Sequence, residues 1–223
     1  MNGTVVLTTA VGAASGAKAA AAALACAGSD PDRPGLLIDI GGRSPRPTLV
    51  ASAGARELEE RLALHLPDLR AASRGQTCHL AVPTDGAPFE RVRAALPLVR
   101  DSVAVVHLAP ALLHPALVEG IGPTAALLRA DLASDRALTA LAVRDLLDRG
   151  LRVAVLKRPL AWIPSRRALF GALTANSQGA LPERLVCRFS PPVRHGCYIE
   201  IDDAEADPTG TAEQERRDHA SAR

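Results

Sequence analysis

Aromatic side chains are nearly absent, with Phe89, Trp162, Phe170, Phe189 and Tyr198 the only five in the chain. The core must therefore be built from Leu, Val and Ala, which packs helices closely against a sheet. Cysteine is also scarce. Cys26, Cys78, Cys187 and Cys197 are scattered over 223 residues, a length that buries a full core without staples. That excludes a disulfide framework and points to a reducing compartment, the cytoplasm. Nor is there an excess of either charge, since 26 basic residues face 24 acidic ones. No whole-protein field draws nucleic acid or anionic lipid, so binding either would need a local patch. Long apolar runs are missing too. The best candidate, Val103 to Val118, is broken by His107, Pro110, His114 and Pro115, whereas a span needs roughly 18 consecutive apolar residues. The N-terminus has no basic n-region and is interrupted by Gly12, Gly16 and Lys18, which argues against a signal peptide. The expectation is a soluble protein with one domain over residues 1–190 and a flexible, polar tail over 191–223.

The chain is organised around Thr4 to Gly28. A β-branched run stops at small residues, and an alanine-rich helix starts at about Ala17, giving a strand, a tight glycine loop and a helix. Gly35 to Ile40 (GLLIDI) is continuously apolar with an acid near its end, the pattern of a strand buried on both faces of a parallel sheet. Ala55 to Leu66 carries Leu58, Leu62 and Leu66 at helical spacing. Strands are predicted over Thr77–Val82, Ser102–Leu108, Thr124–Ala130 and Leu151–Leu156. Helices are predicted over Pro88–Arg100, with Pro97 kinking or ending it early, through Pro110–Glu119, and from an Asp131 or Ser134 cap through Leu138, Leu141, Ala142 and Leu146 to Gly150. Strands alternate with helices, and no hairpin dipeptide joins them. This predicts right-handed βαβ units in a doubly wound α/β fold, a mainly parallel sheet with helices on both faces. Beyond Leu160 the pattern weakens to a short basic helix at Ser165–Leu173 and an edge strand at Leu185–Phe189.

Gly12 to Lys18 (GAASGAK) invites comparison with a phosphate-binding loop. A P-loop, GxxxxGK[ST], needs a lysine for the terminal phosphates and a hydroxyl for magnesium. With Gly16 before the lysine position, Ala17 replaces the lysine and Lys18 the hydroxyl. One helical step also rotates Lys18 by about 100° from the place a P-loop lysine would occupy.

The arrangement resembles the deviant-Walker P-loop ATPases of the ParA and MinD type, including the CpaE and TadZ proteins of pilus assembly. The family's KGGxGKT motif falls on Gly12 to Lys18, with its signature lysine replaced by Gly12. Its DxD motif matches Asp39 in LLIDIGG, with Gly41 in place of the second acid. Its DxPxG motif meets VVHLAPA, where His107 replaces the aspartate and Pro110 remains nearby. Lys157 and Arg158 stand where an adenine-contacting asparagine is usual. The resemblance runs over residues 4 to 158. It implies a P-loop NTPase-like fold in which ATP hydrolysis has been lost, and a pseudo-ATPase working as an adaptor or localisation factor for protein partners, homodimerisation included, in a cytoplasmic pilus or secretion assembly. A vestigial ATP site would consist of Gly12, Ser15, Gly16, Ala17, Lys18 and Asp39, with backbone N–H groups as the cradle.

Other readings of these residues stay open. GAASG also resembles the TGxxxGxG turn of short-chain dehydrogenases, with Asp39 placed for a ribose hydroxyl, but Lys18 replaces the third glycine. The catalytic YxxxK pair is excluded because Tyr198 is the only tyrosine and Asp202 follows it at that spacing. A nucleotide-dependent enzyme, either an ATPase with an atypical loop or a Rossmann-type protein, is thus the alternative. Gly12 and Gly16 would equally serve a plain strand-to-helix turn, and Asp39 a turn cap. His79 and His107 fit hydrogen-bonded strand histidines better than metal ligands. Cys187, His195 and Cys197 lack the CxxC spacing of a zinc site, and Ser15 lacks a nucleophile elbow. Lys157, Arg158, Arg166 and Arg167 form the basic group best suited to an anionic partner.

Overall fold

The computed structural model describes residues 4–12, 14, 16–42, 50–99, 103–109, 115–130, 136–156, 173, 186–187 and 197–202. Among the described residues, nine strands form one sheet in the order β3-β4-β2-β5-β1-β6-β7-β9-β8. They are β1 (Thr4–Val11), β2 (Gly35–Ile40), β3 (Arg70–Arg74), β4 (Thr77–Val82), β5 (Val103–Leu108), β6 (Ala125–Ala130), β7 (Arg152–Leu156), β8 (Val186–Cys187) and β9 (Cys197–Asp202). The helices are α1 (Ala17–Ala27), α2 (Ala53–His65), α3 (Pro88–Ala95), α4 (Pro115–Ile121) and α5 (Arg136–Asp148). All neighbours pair in parallel except β3 with β4 and β8 with β9. This is the doubly wound α/β architecture that the alternating pattern predicts.

Strand alternation divides the core into two layers. One face, lined by Leu36, Ile38, Leu80, Val106 and Leu128, packs against α2, α3, α4 and α5 through Leu58, Leu62, Val92, Val118 and Leu146. The opposite face, lined by Val6, Leu37, Val105 and Leu127, packs against α1 through Ala20, Ala21, Leu24 and Ala25, and against Leu173. Alanine explains how closely α1 approaches. A Cβ on Gly35, at the start of β2, would overlap the carbonyl oxygen of Ala25. Crossing from β1 to β2, α1 lies over β5, which is inserted between them.

Several expectations need correction. A hairpin does occur, because β3 and β4 turn at Gly75 and Gln76, with Gly75 at φ 57 supplying the left-handed backbone. α5 buries Thr139, Leu146 and Leu147, with Ala142 and Val143 partly covered, so its inner stripe leaves Leu138 and Leu141 exposed. The helix from Pro88 ends at Ala95 and passes into a 3-10 turn over Leu96–Leu98, as Pro97 requires. β9 lies past residue 190, and the sheet therefore extends into the segment expected as tail by pairing β9 with β7. The caps Asp131 and Ser134, the basic group Lys157, Arg158, Arg166 and Arg167, Trp162, and His195 lie outside the described residues.

Candidate functional site

β1 ends at Val11, Gly12 turns at φ 60, and Gly16 at φ 90 is the N-cap of α1 without any side-chain cap. Both glycines stand where the backbone is left-handed, the reason this loop takes glycine. Gly16 accepts the first helical bond, from the Ala20 N–H at 3.0 Å. The N–H groups of Ala17, Lys18 and Ala19 therefore point out of the helix end, which carries partial positive charge and no acid in its first turn. Of the predicted loop residues, Gly12 and Gly16 are exposed and Ala17 is buried, while Ser15 lies outside the described residues.

Asp39 is the penultimate residue of β2 and only 1% exposed. Alternation puts it on the α1 face, opposite His107 of β5, and His107 is in turn opposite Thr8 of β1. His79 of β4, two residues back along the neighbouring strand, projects from the same face. Lys18 comes down from the first turn of α1 and forms an ion pair with Oδ2 of Asp39. His79 Nε2 stands 3.7 Å from that oxygen, too far for a hydrogen bond. Gly42 closes the top of the cluster, where a Cβ would overlap the Asp39 carboxylate.

Burial opposes ionisation of Asp39. The polar side chain of His79 and the Lys18 ammonium outweigh it, with His107 adding, and the carboxyl is held below its ordinary range. His107 is pushed down by burial, against the pull of Asp39 and of the Thr8 carbonyl. Its Nδ1 lies 3.3 Å from the Thr8 carbonyl oxygen. An oxygen of that kind only accepts, so Nδ1 carries the proton and Nε2 keeps its lone pair. Beyond β1, Arg129 of β6 uses Nη1 to join the carbonyls of Ala130, at 2.6 Å, and Leu156, at 3.2 Å.

The structure therefore joins two predicted residues, Lys18 and Asp39, and adds His79, His107 and Thr8 to them. Gly41 has its own role. It sits at φ 78 and donates its N–H to the Val82 carbonyl at 2.9 Å, and a Cβ added there would come within 3.0 Å of the Thr84 side chain. Among the described residues, no three His, Cys, Asp or Glu side chains are grouped to hold a metal ion, and no helix is long and apolar enough to cross a membrane.

Fold and site together define a doubly wound α/β protein with a strand, glycine loop and helix at its centre and a charge-paired cluster at the carboxyl ends of β1, β2 and β5. No protein-family model matches the chain, and no curated protein matches it. Its structure is similar to that of a ParA family ATPase from Chlorobium tepidum TLS, with a TM-score of 0.42 and 13% identity, over 69% of this chain and 73% of that one.

Proposed function

We infer that the chain is a non-catalytic member of the ParA and MinD type, acting through protein contacts as an adaptor or localisation factor in a cytoplasmic assembly of the pilus or secretion kind. The observation that carries this reading is the Lys18–Asp39 ion pair. The cation in the first turn of α1 and the carboxylate near the strand end neutralise each other, so neither is set aside for a phosphate or a magnesium ion. Three substitutions support the same reading. Ala17 is a buried methyl group, Gly41 turns the backbone, and His107 is hydrogen-bonded into the sheet. The residues fit only the backbone half of a phosphate cradle. Gly16 has open space where a Cβ would be and the first N–H groups of α1 are free of helical partners, whereas among the described residues no side chain completes the set. Bound there, a nucleotide would be held without being hydrolysed.

Titrating the purified chain with ATP and magnesium, then separately with NAD(H) and NADP(H), tests the reading. The expected result is no turnover with any of them. ATP turnover abolished by Lys18→Ala overturns it.

A further inference from the structure

β3 stands last in the sheet, and among the described residues β4 is the one strand beside it. Packing gives it little hold. Ala71, Ala72 and Ser73 are its covered side chains, while Arg70 and Arg74 at its ends are exposed. Alanine methyls take far less apolar surface out of water than the leucine, isoleucine and valine side chains of β2 and β5 do. Both ends of the strand are nevertheless fixed. Leu69, just before it, is buried in the core. Gly75, just after it, donates its N–H to the Val50 carbonyl at 2.9 Å and accepts from the Ser52 N–H at 2.7 Å.

Between these anchors α2 reaches over to the strand. Ser73 Oγ donates to the Ala55 carbonyl at 2.7 Å, and the Ser73 N–H donates to Oε2 of Glu59 at 2.9 Å. In an antiparallel ladder, successive N–H groups point alternately toward the partner strand and away from it. That of Ser73 points away, to the edge where a further strand would offer a carbonyl, and the half-buried Glu59 offers a carboxylate instead. A hydrogen bond to a charged acceptor is stronger than one between neutral groups. We propose that β3 is a strap anchored at both ends and that Glu59 is its clasp: once the clasp lets go, Arg70–Arg74 lifts from β4 while α2 and the rest of the sheet stay folded. The core survives this opening. Cys78 and Leu80, which lie opposite Ser73 and Ala71, pack in one cluster with Leu58 and Leu62 of α2, so the strap uncovers the backbone edge of β4 and leaves these side chains under the helix.

Amide hydrogen exchange of the full chain, followed by NMR at one pH over a series of low urea concentrations, tests the proposal. Opening of a five-residue strap exposes little surface, so exchange at Ala72 and Arg74 is expected to be nearly independent of urea. Val106, on the central strand β5, exchanges through unfolding of the whole sheet and accelerates steeply with urea. Glu59→Ala speeds exchange at Ala72, Ser73 and Arg74 by about tenfold, the scale of one hydrogen bond to a charged group, without adding a urea dependence. Glu59→Gln keeps an acceptor oxygen in place and stays within about threefold of the wild type. A urea dependence at Ala72 as steep as that at Val106 overturns the proposal, because β3 then opens only with the whole chain. So does a Ser73 amide as well protected in Glu59→Ala as in the wild type, or a Glu59→Gln protein as fast as Glu59→Ala. Should Glu59→Ala fail to fold, Glu59→Asp, one methylene too short to keep the bond, takes its place under the same outcomes.

Discussion

The Lys18 ammonium, half exposed on α1, rests on a carboxylate of Asp39 that is almost entirely buried in the sheet. Removing either partner is therefore not symmetric. Lys18→Met leaves a buried charge beside the His79 and His107 imidazoles, costing about 1–2 kcal/mol once the exposure of the lysine is discounted. Asp39→Asn releases an ammonium that water takes back, costing about 1 kcal/mol or less. Urea denaturation at neutral pH is expected to rank Lys18→Met as the less stable variant, and the reverse order would show that Lys18 contributes nothing to holding the carboxylate.

The two shifted groups set the acid side of the stability curve. Unfolded, His107 takes a proton as pH falls through its ordinary value of 6.5, while burial resists this in the folded chain. Its contribution is thus fully present above that value and is lost as pH falls toward the lower folded pKa. Asp39 is held below its ordinary 3.8, so its contribution is present above 3.8 and is lost as pH falls through the folded pKa. Unfolding free energy measured against pH is expected to decline from about 6.5 downward and again below about 4. His107→Gln flattens the first decline and Asp39→Asn the second. A His107→Gln profile identical to wild type would mean that this ring titrates alike folded and unfolded.

How much of this was readable depended on whether the information was local. GLLIDI and VAVVHL are continuous apolar runs, and burial on both faces is what such runs are for, so β2 and β5 could be placed from sequence. β3 could not. RAASR has no β-branched residue and basic ends, and it is a strand because Gly75 folds it back on β4 and because Ser73 is tied to α2 through the Ala55 carbonyl. Lys18, Asp39, His79 and His107 were each visible, but their meeting depends on β4, β2, β5 and β1 being neighbours in that order. No spacing in the sequence encodes that order. Leu138 and Leu141 misled because their helical spacing is genuine while the buried stripe runs through Thr139 and Leu146 instead.

Two glycines near α1 separate crowding from backbone strain. At Gly35 an added Cβ meets the carbonyl of Ala25, with its carbon at 3.0 Å and the Ser29 Cβ at 3.4 Å. Backbone cannot move aside cheaply, so Gly35→Ala is expected to cost about 3 kcal/mol. At Gly16 nothing lies within 4 Å, but φ is 90°, and Gly16→Ala should cost about 1 kcal/mol from the left-handed backbone alone. Gly16→Asn should be milder than Gly16→Ala, because asparagine tolerates that region. Thermal unfolding of the three variants checks the order, and a Gly35→Ala protein as stable as Gly16→Ala would mean that α1 is free to lift from β2.

Cys26 and Cys78 offer a readout of opening that needs no engineered probe. Cys26 is exposed on α1 and Cys78 is fully buried on the other face of the sheet. Burial, with the negative charge of Glu59 adding, pushes the Cys78 thiol up to about 12. Since the thiolate is the reacting species, iodoacetamide labelling mapped residue by residue is expected to modify Cys26 quickly and Cys78 only through unfolding. Urea below the midpoint should then accelerate Cys78 in proportion to the unfolded population and leave Cys26 almost unchanged. Glu59→Gln discriminates between the two causes. Removing that charge lowers the barrier to ionisation without uncovering the sulfur, so labelling of Cys78 should rise only as far as the variant is destabilised. A large rise at unchanged stability would show that the charge of Glu59, rather than burial, keeps the thiol inert.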